Sequence, residues 1–273
     1  MCCCGVNHMK NSLLEAQAAS FSQEMLANGC SIIPFPSHLA KAMKAHICRF
    51  VGIKAGEKAE DLELLEMLTE KVSFCSDEEY VQKFSKAMRM FPDSVALLAV
   101  KWVSSLATLL DGKQAGINYV SKKERSINPV LREDSYDVFW RCVRPKKPDV
   151  GLPHCDYQFW EIVKGTDEDV GVPFDYDERW KIWIPLMGCN STNSLEVVLG
   201  SHREEVPIER VLTRNGYKPM IQEKWLEKKS FITPFVNFQD CCVLFHDKLV
   251  HQGPANHSSL LRISGELTIL LKR

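Results

Sequence analysis

Short apolar segments dominate the second half of the chain, and their spacing limits the available folds more than any other feature. From about residue 135 these segments are separated by clusters of Pro, Gly, Asn and Asp, and no helical period links them. Short strands at such intervals are typical of a β-sandwich or jelly roll. The predicted strands are Tyr136 to Val143, Gln158 to Val163, Lys181 to Leu186, Leu195 to Leu199, Cys241 to Phe245, Lys248 to Gln252 and Leu260 to Leu271.

The first half has the apolar periodicity of helices instead. An amphipathic pattern over residues 12–28 ends at Gly29, which is a typical helix stop. A short strand is predicted over Cys30–Pro34, a second helix after Pro36, and residues 57–115 are predicted to be wholly helical.

No internal repeat or low-complexity linker separates the two halves of the sequence. We therefore predict one folded unit of class α+β over residues 1–273, with a mainly helical part at 1–130 and a jelly-roll core at 135–273. Its length is sufficient for a substantial apolar core.

Charge and composition limit the partners and the compartment. The formal net charge is −1, which gives no reason to expect nucleic acid or an anionic membrane as a partner. The longest apolar stretch, Ser94 to Leu110, is interrupted by Lys101 and is too short for a clean membrane span. The 11 cysteines have no regular spacing and no secretory segment precedes them, so reduced thiols in a cytoplasmic protein are expected. The oligomeric state is left open.

The tripeptide His154-Cys155-Asp156 is the first candidate site. In an extended strand, side chains two residues apart project to the same face, so His154 and Asp156 would converge and Cys155 would turn away. A distal histidine, His251, would complete a two-histidine, one-carboxylate triad of the kind that holds Fe(II) and leaves positions open for substrates. The tripeptide alone is a weak signal, because such triplets are common.

The last predicted strand has two chemically distinct faces. Leu261, Ile263, Leu267, Ile269 and Leu271 share one face, and Arg262, Ser264, Glu266 and Thr268 share the other. A polar face on a closing strand is either solvated or turned into the cavity of a jelly roll. Turned inward, the guanidinium of Arg262 and the hydroxyl of Ser264 would suit a carboxylate ligand.

Together these motifs resemble the phytanoyl-CoA dioxygenase family of Fe(II)/2-oxoglutarate-dependent oxygenases. The matching features are His154-x-Asp156, the distal His251, Arg262 eleven residues later, and the Arg262-x-Ser264 element. The segments Trp183-Ile184-Pro185-Leu186 and Gly200-Ser201-His202 resemble the family's central strand and its Pro-Gly-Ser-His turn, with Leu199 in place of the usual proline. The resemblance covers roughly residues 135–273.

This resemblance implies a double-stranded β-helix, a cupin-like jelly roll with helices packed on one side. It implies iron bound by His154, Asp156 and His251, and 2-oxoglutarate held at its distal carboxylate by Arg262 and Ser264. With O2 as the second co-substrate, the implied reaction is hydroxylation of an unactivated C–H bond of a small metabolite, with release of succinate and CO2. The family's halogenating relatives have a small residue in place of the carboxylate ligand, so Asp156 argues against halogenation.

Two other functions stay open on the residues alone. One is a cupin-type isomerase or hydrolase with zinc or manganese in the same ligands. The other is a binding protein with a relic site. The Arg262-x-Ser264 element argues against the isomerase or hydrolase, which needs no 2-oxoglutarate anchor, and the intact set of candidate ligands argues against a relic site.

Two alternative roles stay open for each of several further residues. Arg141 and Arg144 either contact the co-substrate or form surface ion pairs, and Gln158 and Trp183 either line the pocket or pack within a sheet. The acidic segment 166–178 is either a lid over the site or a solvated loop, and the insertion at about 204–234 is a second candidate pocket wall. The remaining histidines, His202 and His246 among them, are predicted to be structural.

Overall fold

The fold is described from a computed structural model of the chain. The described residues are 19–54, 61–84, 89–110, 112–117, 119–120, 135–158, 178–213, 216–235 and 239–272.

A six-stranded antiparallel sheet forms the main wall of the molecule. Its strands are β1 Cys30–Pro34, β2 Gln114–Ile117, β5 Val138–Val143, β6 Glu178–Met187, β10 Cys241–His246 and β12 Arg262–Lys272. Their order in the sheet is β1-β10-β6-β12-β2, and β5 also pairs with β12. The long central strands β6 and β12 pair with each other, and their register places Thr268 opposite Lys181 and Glu266 opposite Trp183. A separate two-stranded ladder joins β3 (Tyr119–Val120) and β4 (Ser135–Tyr136).

Much shorter segments form a second layer of backbone pairs. His154 pairs with His251 in an isolated bridge, β11 (His251–Gln252) pairs with β7 (Glu196–Val197), and Val197 also bridges to Ile232. Together with the main sheet, these pairs give the α+β jelly roll, or double-stranded β-helix, that the sequence predicts. Such short pairings are sufficient, because each one only has to hold the side chains of its paired residues next to each other.

Helices cover one face of the main sheet, as predicted. Their apolar residues and those of the sheet form one buried cluster that includes Leu39, Ile47, Leu68, Trp140 and Ile182. The predicted lead-in of helix, strand and helix is confirmed. The helices are α1 (19–28), α2 Ser37–Val51, α3 Asp61–Ser73, α4 Asp77–Lys83 and α5 Asp93–Ser105.

Strand β12 separates the two environments. Ile263, Leu267, Ile269 and Leu271 join the apolar cluster beneath the helices, as the alternation of the sequence predicts. Arg262, Ser264 and Glu266 line a cavity on the other face. The polar face is therefore turned inward and not toward solvent.

Two predictions about the elements are wrong, and one segment without a predicted element is now assigned. Residues 114–117 form β2 at the edge of the sheet and are not helical. Gln158 belongs to a helical turn, α6, whose described residues are 156–158; the rest of the strand predicted over Gln158 to Val163 lies outside the described residues. The segment 208–221 forms a β-hairpin, β8 (Ile208–Thr213) and β9 (Gly216–Ile221), and a one-turn helix α7 (Glu223–Leu226) follows.

Four other expectations are tested only in part or not at all. The acidic segment lies outside the described residues except for Glu178. Within the described residues, no helix is long and apolar enough to cross a membrane. The cysteines that the structure describes are free thiols. The single folded unit stays a prediction.

Gly188 is the position where the turn after β6 depends most clearly on glycine. Its φ is +68°, and a Cβ at this position would overlap the carbonyl oxygen of Leu261. We expect Gly188→Ala to lower the free energy of unfolding by roughly 3 kcal/mol or more, because strain and backbone overlap add together. Urea unfolding measures this change. Gly116→Ala is the matched control, since a Cβ there meets nothing within 4 Å; equal losses in the two variants would contradict the steric argument.

Candidate metal centre and cavity

A pair of backbone hydrogen bonds brings two distant histidines together. The amide of His154 donates to the carbonyl of His251 at 3.0 Å, and the amide of His251 donates back at 2.9 Å. The ring centroids lie 4.5 Å apart. Because the pair is closed on both sides, both imidazoles leave the backbone at a fixed separation.

Each imidazole is also oriented by a carbonyl two residues earlier. His154 Nδ1 lies 2.8 Å from the oxygen of Leu152, and His251 Nδ1 lies 2.9 Å from the oxygen of Leu249. A carbonyl only accepts, so Nδ1 carries the proton in each ring, and each Nε2 keeps its lone pair for a ligand.

The ring of His154 is neutral at neutral pH. Burial, and then the neighbouring His251, lower the pKa of His154 to about 4. A neutral imidazole is the form that binds a metal ion.

Asp156 reaches the same point by a different route from the one predicted. It opens the helical turn α6, in which the Tyr157 amide donates to the carbonyl of Asp247 at 3.0 Å and the Gln158 amide to that of Cys155 at 3.1 Å. The carboxylate still lies beside the imidazoles, with Oδ2 3.6 Å from His251 Nε2. Cys155 turns away as expected, into an apolar cluster with Val198 and Val250. The common strand for His154 and Asp156 was wrong, but their convergence was right.

Electrostatics keep Asp156 ionised in this enclosed position. Burial alone would raise its pKa, but the positive charge of Lys181 holds it well below the usual range for an aspartate. Its Oδ2 is buried without a hydrogen-bond partner among the described residues. An unpartnered buried carboxylate oxygen is costly unless a cation or donor meets it.

These three side chains fit a metal ion. One ligand atom from each of His154, Asp156 and His251 lies within 4.8 Å of the others. Two imidazole nitrogens and one carboxylate on the same side form the donor set that suits Fe(II) with open positions.

Arg262 and Ser264 line the cavity that contains the three candidate ligands. The Nη1 group of Arg262 donates to the carbonyls of Asn193 at 2.6 Å and Pro254 at 2.8 Å, while its buried Nε has no partner among the described residues. Gly253 leaves room for the guanidinium, because a Cβ there would lie 2.8 Å from Nη2. The arginine is thus held in place by neutral carbonyls, and its charge is left for an anion.

Of the residues for which two alternative roles were open, Arg141 and Trp183 line the cavity. Arg141 forms an ion pair with Glu266. Arg144 is structural: it forms two hydrogen bonds with the carboxylate of Asp149, at 2.8 and 2.9 Å, and stacks over Tyr80. This contact fixes the loop that leads into His154.

The other candidates do not line the cavity that contains the three candidate ligands. The ring of His202 lies 5.7 Å from that of His246 and packs against Gly29, which supports the structural role predicted for it. Gln158 is buried and its Oε1 has no partner among the described residues. Within its described part, the insertion at 204–234 contributes nothing to the cavity wall; Ile221 packs behind Cys155 instead.

Lys181 is the cavity residue that sequence reasoning missed. It stands in β6, within an apolar run, and its side chain is buried against the cavity. The signal that could have revealed it is the strand alternation. Lys181 lies two positions before Trp183, so both side chains project to the same face of the strand.

The model of the phytanoyl-CoA dioxygenase family matches residues 118–264 of this chain. This stretch contains the two histidines, the aspartate and Arg262. No curated protein sequence gives a significant match.

Solved structures with a similar fold are distant in sequence. EctD from S. alaskensis, solved with 2-oxoglutarate and 5-hydroxyectoine, is 14% identical with a TM-score of 0.51, over 93% of this chain and 75% of that one. The same protein solved with bound Fe is 13% identical over the same shares, with the same TM-score of 0.51. The non-heme monooxygenase ThoJ, in its apo form, is 10% identical with a TM-score of 0.50, over 92% of this chain and 76% of that one. These likenesses support the jelly-roll fold.

Asp156→Ala tests the metal centre directly. We expect the affinity for Mn(II), a stand-in for Fe(II), to fall by roughly 100-fold or more, because the charged ligand is lost. Calorimetric titration of the metal-free protein measures it. Cys155→Ala is the neighbouring control and should keep the affinity of the unaltered protein. Tight Mn(II) binding by Asp156→Ala would contradict this site.

Proposed function

Because the chain belongs to the phytanoyl-CoA dioxygenase family, whose members depend on Fe(II), 2-oxoglutarate and O2, we propose that it hydroxylates an unactivated C–H bond of a small molecule. The observation that carries the proposal is the convergence of one ligand atom each from His154, Asp156 and His251 in a cavity that Arg262 also lines. Among the described residues, Oδ2 of Asp156 has no hydrogen-bond partner.

In this proposal His154, Asp156 and His251 are the metal ligands. The carbonyls of Leu152 and Leu249 fix the tautomer of each imidazole, so no rearrangement of protons within the rings is needed before binding. Asp156 supplies one negative charge, which suits a divalent cation in an enclosed site.

Arg262 and Ser264 hold the distal carboxylate of 2-oxoglutarate in this proposal. The guanidinium has a free Nε and no carboxylate partner among the described residues, so it accepts an anion without first breaking an ion pair. Ser264 is the next inward residue of β12 and adds a hydroxyl donor on the same wall.

When bound, Fe(II) with 2-oxoglutarate and O2 supplies the oxidising power that removes a hydrogen atom from the substrate and releases succinate and CO2. The chain's own contribution is to hold the reacting groups in register and to exclude water. Trp183, Leu195 and Phe245 are buried and form apolar parts of the cavity wall. Such walls protect a reactive centre and strengthen the electrostatic contacts inside it.

Succinate formation tests the proposed activity. We expect the protein with Fe(II), ascorbate and 2-oxoglutarate to form succinate slowly in the absence of a substrate. His154→Ala and Asp156→Ala should remove this turnover, while Cys155→Ala keeps it. Unchanged succinate formation in either ligand variant would contradict the assignment of the metal ligands.

Arg262→Ala tests the 2-oxoglutarate anchor separately. We expect its Kd for 2-oxoglutarate to rise roughly 100-fold, because a charge-assisted pair in a buried site is lost. Mn(II) affinity should not change. Arg49→Ala, at an exposed arginine of α2, is the control. A normal Kd in Arg262→Ala, or no 2-oxoglutarate binding at all, would favour a metal-dependent isomerase or hydrolase on the same ligands.

A further inference from the structure

Lys181 is a buried cation in the same cavity as the candidate metal ligands. Its residue is only 7% exposed, although lysine is rarely buried without a partner. Strand register fixes its place: Lys181 lies opposite Thr268 of β12 on one side and Phe245 of β10 on the other.

One hydrogen bond accounts for Lys181 among the described residues. Its Nζ donates to Thr268 Oγ1 at 3.1 Å, and that hydroxyl donates in turn to Asp137 Oδ2 at 2.7 Å. No carboxylate oxygen of the described residues lies within 4.0 Å of Nζ. An ammonium group has three N–H donors, so two are left over in a buried place where an unmet donor is costly.

The ammonium of Lys181 is charged at neutral pH. Burial would lower its pKa, but the carboxylates of Asp156, Asp137 and Glu266 raise it above the usual range of a lysine. The ring of Phe139 lies 5.8 Å from Nζ and provides a weak cation–π contact. These surroundings stabilise the charge without forming a direct ion pair.

Three cations line the described part of the cavity, and they divide into two kinds. Arg141 is neutralised by its ion pair with Glu266. Arg262 and Lys181 have no carboxylate partner within that part of the chain. Two unpaired cations provide for two anions, and 2-oxoglutarate at the metal accounts for one of them at Arg262.

The two unpaired cations stand at opposite ends of the cavity wall. On β12, Arg262 and Thr268 are six residues apart, and Lys181 is level with Thr268. Six residues of a strand span about 20 Å. A single 2-oxoglutarate molecule that reaches Arg262 from the metal therefore extends away from Lys181.

We propose that Lys181 binds a carboxylate of the substrate, so that the enzyme acts on a small organic acid. The acid group lies at the Lys181 end, the apolar body lies against Trp183 and Phe245, and a C–H bond faces the metal. This inference rests on the proposed function, because it takes Arg262 as the anchor of 2-oxoglutarate. Lys181 is then a residue that determines substrate choice.

Butyrate, butyramide and butylamine are matched probes of this end of the cavity. They are titrated calorimetrically, under nitrogen, into the protein loaded with Fe(II) and saturated with 2-oxoglutarate. We expect butyrate to bind at least about tenfold more tightly than butyramide or butylamine, because only butyrate pairs with an ammonium. Equal binding of butyrate and butyramide, or tighter binding of butylamine, would overturn the proposal without any variant.

Lys181→Met keeps the length of the side chain and removes its charge. We expect it to weaken butyrate binding at least about tenfold and to leave the Kd for 2-oxoglutarate within about threefold. Lys181→Arg should keep the preference for butyrate, and Lys41→Met, on the exposed face of α2, should behave as the unaltered protein does. Undiminished butyrate binding by Lys181→Met overturns the inference.

The same titrations distinguish a failure of this inference from a failure of the proposed function. Failure of the unaltered protein to bind 2-oxoglutarate overturns the proposed function. Normal 2-oxoglutarate binding with no binding of butyrate overturns only the role of Lys181. Loss of 2-oxoglutarate binding in Lys181→Met, with normal binding in Arg262→Ala, makes Lys181 the co-substrate anchor and also overturns the inference.

Discussion

The mutual backbone hydrogen bonds between His154 and His251 are the contact on which the rest of the site depends. They close a bridge between residues almost a hundred positions apart, and the carbonyls of Leu152 and Leu249 then orient both rings. Asp156 follows from the same constraint, since it lies only two positions after His154. The long sheet strands support this arrangement, but the short bridge sets the distances on which metal chemistry would depend.

Buried charge is distributed over the cavity in a consistent way. Arg141 is paired with Glu266, and Arg179, on the same strand as Lys181, is paired with Asp247. Burying an unpaired charge destabilises a protein, so these pairs account for the charges that need no ligand. Arg262 and Lys181 are the contrasting cases, held by carbonyl or hydroxyl oxygens and thus ready for an anion.

The residues that meet in the cavity were largely predictable from the sequence, but part of their geometry was not. The sequence motifs and the alternation of β12 predicted five residues that the structure brings to one cavity: His154, Asp156, His251, Arg262 and Ser264. Their roles as metal ligands and co-substrate anchor stay predictions. The helical turn at Asp156 was not predictable, because it depends on a hydrogen bond to Asp247, which is distant in sequence. Lys181 was missed because a lysine within a strand is usually solvated, and only the register against Thr268 shows that it faces inward. The bridges of the second layer are too short for any periodic signal.

Strand β12 makes correct folding and a complete site inseparable. Ile263, Leu267, Ile269 and Leu271 fill the core beneath the helices, and Arg262, Ser264 and Glu266 line the cavity on the other face. A slip of one residue would expose the apolar set and bury Arg262 and Glu266 in the core, so such a misfolded chain would be strongly disfavoured. The register that gives a stable core is therefore also the register that completes the cavity wall. Molecules that reach the stable fold also have the cavity wall in place. Mutations in that wall therefore affect the stability of the fold as well as activity.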